Sequence, residues 1–101
     1  MILHNTTFSV DQTVNEAWLD WIKEIYFEAA KESGWVNQFR LMRMRNVPDD
    51  SGTTYSVQLF FMNEDHWNLF LDEMEPSLLN HLQQSFGEKA LFFQSQLDVI
   101  I

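Results

Sequence analysis

Alternation of apolar and polar residues predicts four β-strands in this chain. The clearest covers Thr53 to Met62, where β-branched and aromatic residues dominate and neither Gly nor Pro occurs. The same pattern predicts strands over Ile2 to Val10, Trp35 to Arg45 and Lys89 to Ile101. Asn46 to Gly52 is rich in Pro, Asp, Ser and Gly residues, so we expect it to be a loop that joins two antiparallel strands.

Apolar residues at three- and four-residue spacing predict a first helix between the first two strands. It should run from about Val14 to Ser33, opened by a capping box of Thr13 and Glu16 and closed by Gly34. Its predicted buried residues are Val14, Trp18, Trp21, Ile22, Ile25 and Ala29.

A second helical region begins at Asn63, a residue type that caps helix N-termini, and it contains Pro76. Pro lacks a backbone N–H and clashes with the preceding turn, so it cannot continue a helix through its middle. It can begin a new segment, where its missing N–H would have no partner in any case. We therefore expect this helix to break or kink near Glu75 and to end at Gly87.

The resulting order, β-α-β-β-α-β, is typical of a ferredoxin-like α+β domain. Right-handed crossovers would place both helices on one face of a four-stranded antiparallel sheet with strand order 4-1-3-2. The chain has 101 residues, so we expect residues 1–101 to form a single domain.

The helix-free face of that sheet is predicted to bind a ligand or to form a dimer interface. Its residues are too apolar for open solvent and too polar for an ordinary core. Two such faces packed together would cover each other, so we expect a homodimer, although a monomer that binds another partner there would explain the same pattern. The predicted residues of this face are Asn5, Arg40, Met42, Met44, Ser56, Gln58, Phe60, Phe92 and Gln94.

Charge and composition narrow the choice of partners. The chain has 15 acidic and 6 basic residues and a net charge of −9, which disfavours nucleic acid and anionic membranes. It contains no Cys, so it has neither disulfides nor thiol chemistry. No apolar run reaches the roughly 18 residues of a membrane span. We predict an acidic cytoplasmic protein that binds neither nucleic acid nor membranes.

The residues that could carry chemistry form no catalytic motif. His4, His66 and His81 stand in no metal-binding spacing, and neither a nucleophile elbow nor a Gly-rich phosphate loop is present. His4 lies on an otherwise apolar strand face, where a hydrogen-bonded core histidine is the better interpretation. If the protein has an acid–base residue, His4 or His66 is the candidate. From the sequence we assign no catalytic residue, no metal and no cofactor.

Four stretches of the chain also carry a family resemblance: Met1 to Asp11, Trp18 to Ile22, Thr54 to Gln58, and the pair Phe86-Gly87. Together they resemble a family of small bacterial proteins of unknown function, each about one such domain long. The resemblance covers nearly the whole chain and implies a ferredoxin-like domain of the dimeric α+β-barrel type. It implies no activity and no catalytic residue, because the shared motifs are structural.

Three functional hypotheses follow. The first is a homodimer that binds a small apolar or amphipathic molecule, or a partner, on the open sheet face. The second is a cofactor-free monooxygenase or isomerase of the dimeric α+β-barrel class. Arg40 is the only charged residue predicted on that face, and Arg is a poor base, so the first hypothesis is favoured over an enzyme.

The third hypothesis is an adaptor that docks a basic partner on an acidic row of the first helix. An ordinary solvated helix face is the simpler interpretation of this row. The acidic residues are Glu16, Asp20, Glu24, Glu28 and Glu32.

Overall fold

The computed structural model describes residues 1–45 and 52–101, which form a four-stranded antiparallel sheet, three longer helices and two 3-10 turns, Gln12–Val14 and Gly87–Lys89. The strands are β1 (Ile2–Asp11), β2 (Gln38–Arg43), β3 (Gly52–Phe61) and β4 (Ala90–Asp98). They lie in the order β2-β3-β1-β4, which is the predicted order read from the opposite edge. The ferredoxin-like α+β prediction is confirmed. The predicted loop over 46–52 lies outside the described residues except for Gly52, which begins β3.

Helix α1 (residues 15–33) contains a π-helical turn in its middle. Its α-helical parts are Asn15–Trp21 and Phe27–Ser33, and the π-helical turn is Ile22–Tyr26. Gly34 ends the helix in the left-handed conformation, with φ of 76°, as the sequence predicts.

The π-helical turn changes which residues of α1 are buried. Such a turn contains one residue more than an α-helical turn, so the side chains that follow it point in different directions from those of a continuous α-helix. Ile22, before the change of direction takes effect, is buried as predicted, but Tyr26 and Ala30 are buried after it. The prediction that Ile25 belongs to the core is wrong, because its side chain is 42% exposed.

The capping box predicted at the start of α1 is also wrong. A 3-10 turn over Gln12–Val14 precedes the helix, and the carboxylate of Asp11 accepts from the backbone N of Thr13 at 2.9 Å and from its hydroxyl at 2.6 Å. These two hydrogen bonds, the hydroxyl first, hold the pKa of the Asp11 carboxyl below its usual value. A carboxylate is a stronger acceptor than a threonine hydroxyl, which explains the shift of the cap to Asp11.

Helices α2 (Glu64–Glu73) and α3 (Glu75–Phe86) are the two halves of the predicted second helix. Between them Met74 has φ of −114°, and Pro76 follows in the first turn of α3, so the predicted break is confirmed. As a result Glu75 is the first residue of a new helix and is buried, with 7% of its surface exposed.

Strand β4 presents the opposite faces from those predicted. Its pairing with β1 places Phe92 opposite Phe8 and Gln94 opposite Thr6, so Phe92 and Gln94 lie on the helix-covered face. Three consecutive apolar residues, 91–93, make the alternation of this strand ambiguous, and a shift of one position exchanges the faces. The open face of β4 instead carries Leu91, Phe93, Ser95 and Leu97.

Aromatic side chains fill the core between the sheet and α1. Trp18 stacks on Tyr55 with 4.7 Å between ring centroids and packs against Phe8 at 5.0 Å. The hydroxyl of Tyr55 donates a hydrogen bond of 2.7 Å to Oδ1 of Asn15, which ties β3 to the start of the helix. Across residues 1–45 and 52–101, no helix is both long and apolar enough to cross a membrane.

Candidate functional site

A buried pair of ionisable side chains lies between β1 and the start of α3. Nε2 of His4 lies 2.7 Å from Oε2 of Glu75, and the two residues are 1% and 7% exposed. Removing a carboxylate from water is unfavourable unless it is paired and hydrogen-bonded. An apolar pair would fill this space without that penalty, so the pair marks a candidate functional site.

Two local features of the chain bring this pair together. His4 stands on the helix-covered face of a central strand, which is shielded by its neighbours on both sides. The break at Met74 makes Glu75 the first residue of α3, where the positive end of the helix dipole favours a carboxylate. The two residues are 71 positions apart, so their spacing in the sequence carried no sign of the contact.

Two glutamines of β4 complete the hydrogen bonds of the pair. Nε2 of Gln96 lies 3.1 Å from Nδ1 of His4, and Nε2 of Gln94 lies 3.3 Å from both Oε2 of Glu75 and Oγ1 of Thr6. An ionised carboxylate only accepts hydrogen bonds, and an amide nitrogen only donates them. The arrangement therefore assigns the ring proton of neutral His4 to Nε2 and a lone pair to Nδ1.

Tyr26 closes the cluster from α1. Its side chain is buried, and its hydroxyl is hydrogen-bonded to the side chain of Thr6. Burial, and then the negative charge of Glu75, raise the pKa of Tyr26 well above its usual value, while the hydrogen bond to Thr6 acts in the opposite direction. The phenol therefore stays protonated. We call His4, Glu75, Thr6, Gln94 and Tyr26 the buried polar cluster.

A surface cavity of about 400 Å³ adjoins the buried polar cluster. Gln96 belongs to both, because its exposed side chain lines the cavity and reaches Nδ1 of His4. Trp67 also lines the cavity, and its ring centroid lies 6.5 Å from that of His4. The cavity, which we call the Gln96–Trp67 cavity, is lined by Ile2, Glu64, Trp67, Gln96, Leu97 and Asp98.

The open face of the sheet carries a line of polar side chains that bond to one another. At its centre Asn5 accepts from the hydroxyl of Ser56 at 2.6 Å and donates to Thr7 at 3.1 Å and to Ser95 at 3.4 Å. Gln58 donates to Ser56 at 3.3 Å. These groups satisfy much of their hydrogen-bonding capacity within one chain.

Exposed apolar side chains flank this polar line. Leu91, Phe93 and Leu97 on β4 are 59%, 65% and 50% exposed. On the same face, toward the opposite edge of the sheet, the guanidinium of Arg40 lies 5.6 Å from the centre of the Phe60 ring, within the range of a cation–π contact.

The structure divides the residues that the sequence predicted for a site. Phe92 and Gln94 lie on the opposite, helix-covered face, and Met44 follows the end of β2, where its backbone N donates to Thr54. The others share the open face: Asn5, Arg40, Met42, Ser56, Gln58 and Phe60.

Sequence reasoning missed the pairing of His4 with Glu75. Two signals were available, a histidine on the inner face of a predicted strand and a glutamate immediately before the proline of a predicted helix break. His81 has a different partner, since Nε1 of Trp21 donates to its Nδ1 at 2.6 Å. The backbone N of His66 donates to Asn63 in the cap of α2.

Comparison with known proteins identifies a family. A family model described as a domain of unknown function, DUF4286, matches residues 1–100. Among curated proteins none matches the sequence significantly.

Solved structures share the fold at low sequence identity. A mutant of MhuD with two manganese protoporphyrin IX molecules bound per active site is 12% identical, with a TM-score of 0.73 over 100% of this chain and 96% of that one. SnoaB, a cofactor-independent oxygenase from Streptomyces nogalater, is 14% identical, with a TM-score of 0.59 over 99% and 93% of the two chains. A dimeric ferredoxin-like protein from an uncultured marine organism is 13% identical, with a TM-score of 0.64 over 99% and 95%.

Proposed function

This chain belongs to the DUF4286 family, and we propose that it is a homodimer that binds a small, partly apolar molecule. The observation that carries the dimer is the exposure of Leu91, Phe93 and Leu97, each at least half exposed on one strand of the open sheet face. Burying such a side chain completely is favourable by roughly 1.5–3 kcal/mol. A second sheet placed against this face would cover all three.

A second copy of this chain is the occupant that the face suits best. The polar line through Asn5 and Ser56 already bonds to itself, so burying it leaves few groups without partners. The chain carries a net charge of −9, but the charged residues on the described strands of this face are only Arg40 on β2 and Asp11 at the end of β1, so two faces would meet with little repulsion. The dimeric ferredoxin-like protein of the same fold supports this arrangement.

Light scattering of the wild type and of two variants tests the dimer. The wild type should have twice the 12.0 kDa mass of the chain, and Phe93→Asp should be monomeric. Leu69→Asp is the matched control, since Leu69 is 40% exposed but lies on α2. A monomeric wild type contradicts the proposal, and a dimer that only Leu69→Asp disrupts places the interface on the helices.

For the small molecule we propose the Gln96–Trp67 cavity, whose volume of about 400 Å³ suits a ligand of one or two rings. The test is an NMR titration with 4-nitrophenol. Binding there should shift the indole N–H signal of Trp67 and the side-chain amide of Gln96, while the indole of Trp21, which is bonded to His81, should stay unchanged. Shifts confined to residues of the open face would contradict this location.

A second candidate function, a cofactor-free enzyme of the monooxygenase or isomerase type, is favoured by the His4–Glu75 pair. Such an enzyme needs a titratable group next to its ligand, and the predicted open face offered only Arg40. The pair lies on the other face of the sheet, and Gln96 connects it to the cavity. SnoaB, a cofactor-independent oxygenase with this fold, supports the candidate.

A further inference from the structure

We infer that Nδ1 of His4 is a base that removes the hydroxyl proton of a phenol or enol bound in the Gln96–Trp67 cavity. This inference rests on the second candidate function above, and it names the base, the accepting atom and the class of substrate. In it His4 is the catalytic residue and Glu75 is a positioning residue.

The hydrogen bonds of His4 leave one ring nitrogen able to accept a proton. Glu75, as an ionised carboxylate, takes the N–H of Nε2 at 2.7 Å and so directs the lone pair to Nδ1. When Nδ1 accepts a proton, the same carboxylate stabilises the imidazolium that forms. The arrangement resembles a serine hydrolase triad. His4 has the role of the imidazole and Glu75 that of the carboxylate, while the hydroxyl comes from the substrate and not from a serine.

Gln96 controls the path from the cavity to Nδ1. Its amide donates to Nδ1 at 3.1 Å, yet the residue is exposed and belongs to the edge strand β4. An exposed glutamine has several staggered rotamers, and leaving the present one breaks its hydrogen bond to Nδ1 of His4, which a substrate hydroxyl would replace. Its displacement would let a substrate hydroxyl donate to the same lone pair, and the freed amide could donate to the substrate.

The walls of the cavity favour a neutral ligand with an acidic hydroxyl over a permanent anion. Trp67 and Ile2 supply apolar surface for a ring, whereas Glu64 and Asp98 repel carboxylates and phosphates. A phenol or enol enters uncharged and becomes negative only after its proton has moved to His4, which then lies next to it as a cation.

The proposed step is a proton transfer without oxidation or reduction. The O–H bond of the substrate breaks, its electron pair stays on oxygen, and a bond forms between the proton and Nδ1 of His4. The products are a phenolate or enolate and an imidazolium paired with Glu75. Tyr26, the other ionisable group of the buried polar cluster, stays protonated and takes no part in the transfer.

The protonation state of His4 can be measured without any ligand. NMR of the 15N-labelled wild type at pH 8 should show a neutral ring with its proton on Nε2. A proton on Nδ1, or an imidazolium at that pH, would overturn the inference, because neither state leaves a lone pair toward Gln96. In Glu75→Gln the preference for Nε2–H should be lost, since a side-chain amide can donate as well as accept.

The proton transfer itself is tested with 4-nitrophenol, whose phenolate absorbs visible light. At one pH, the ratio of phenolate to phenol should be about tenfold higher in the bound than in the free molecule, since a neighbouring cation lowers an acid's pKa by roughly 1–3 units. His4→Gln and Glu75→Gln should bind it without that increase. His81→Gln is the matched control and should retain it, as His81 is bonded to Trp21 on α1.

The outcomes separate this inference from the proposals above. If 4-nitrophenol binds in the cavity of the wild type but its ionisation does not change, the base is wrong and small-molecule binding stands. If 4-nitrophenol does not bind, the phenol site is wrong. Neither result alters the mass that light scattering reports, which tests the homodimer alone.

Discussion

Nε2 of His4 and Oε2 of Glu75 lie 2.7 Å apart inside the protein, although 71 positions separate the two residues in the chain. The contact joins a central strand to the first turn of the helix that follows the break at Met74. It is the one place in the described part of the chain where a histidine ring nitrogen and a carboxylate oxygen lie within 4 Å of each other in the core.

Removing one member of this pair should destabilise the protein more than removing both. Glu75→Leu leaves the Nε2–H of neutral His4 buried without its acceptor, so we expect the free energy of unfolding to fall by about 1–3 kcal/mol. The double variant His4→Leu with Glu75→Leu should recover part of that loss, because an apolar pair needs no hydrogen bonds. Urea denaturation measures both. Glu73→Leu, an exposed position at the end of α2, should change stability by less than about 0.5 kcal/mol.

Tyr26→Phe should lower stability near neutral pH by about 1–3 kcal/mol, because Thr6 loses a buried hydrogen-bond partner. Tyr55→Phe is the comparison: it removes a part-buried hydrogen bond to Asn15 at the start of α1, outside the buried polar cluster, and should cost less stability. If the free energy of unfolding of Tyr26→Phe equals that of the wild type in urea titrations at pH 7, the hydrogen bond contributes nothing.

The same variant should be less sensitive to alkaline pH than the wild type. In the wild type the pKa of Tyr26 is raised by folding, so above about pH 10 the unfolded chain loses this proton while the folded protein keeps it. Stability must then decrease as the pH rises, by up to about 1.4 kcal/mol per pH unit from this group. Urea titrations at pH 9 and 11 should show a smaller decrease for Tyr26→Phe. Equal decreases would mean that folding does not perturb the phenol.

The π-helical turn of α1 makes a contrast between two isoleucines. Ile22 is buried and Ile25 is 42% exposed. In a regular α-helix without the π-helical turn, their three-residue spacing would place both side chains on the buried face. We expect Ile22→Ala to lower the free energy of unfolding by about 2–5 kcal/mol and Ile25→Ala by less than about 1 kcal/mol. Similar losses for the two variants in chemical denaturation would contradict the π-helical turn.

The cap formed by Asp11 should depend on Thr13. The hydrogen bonds from Thr13 lower the pKa of the Asp11 carboxyl, so Thr13→Val, which removes the hydroxyl, should raise that pKa in an NMR titration. Because the folded pKa lies below the unfolded one, the stability from this cap is present above the unfolded pKa and is lost as the pH falls through the folded value. The difference in stability between the wild type and Asp11→Ala should therefore disappear in acid. A difference that stays constant with pH would show that the charge of Asp11 is not involved.

Much of the fold could be predicted because it depends on local chemistry. Alternation in Ile2 to Val10 and in Thr53 to Met62 predicts the two central strands, and the cyclic backbone of Pro76 predicts the break between α2 and α3. Gly34 predicts the end of α1, since glycine adopts positive φ without steric strain. Each of these features involves residues within one element or one turn.

The tertiary structure decided the rest. The faces of β4 depend on its register with β1, and the three consecutive apolar residues 91–93 leave that register open. In the structure, the register lets Gln94 bond to Thr6 and Gln96 bond to His4. The inward position of Tyr26 depends on the π-helical turn. The pairing of His4 with Glu75 requires two elements that are far apart in the chain to pack together, and the pattern of apolar and polar residues does not show which buried polar groups will meet. The chain alone therefore determined the order of strands and helices, while packing between them determined the candidate site.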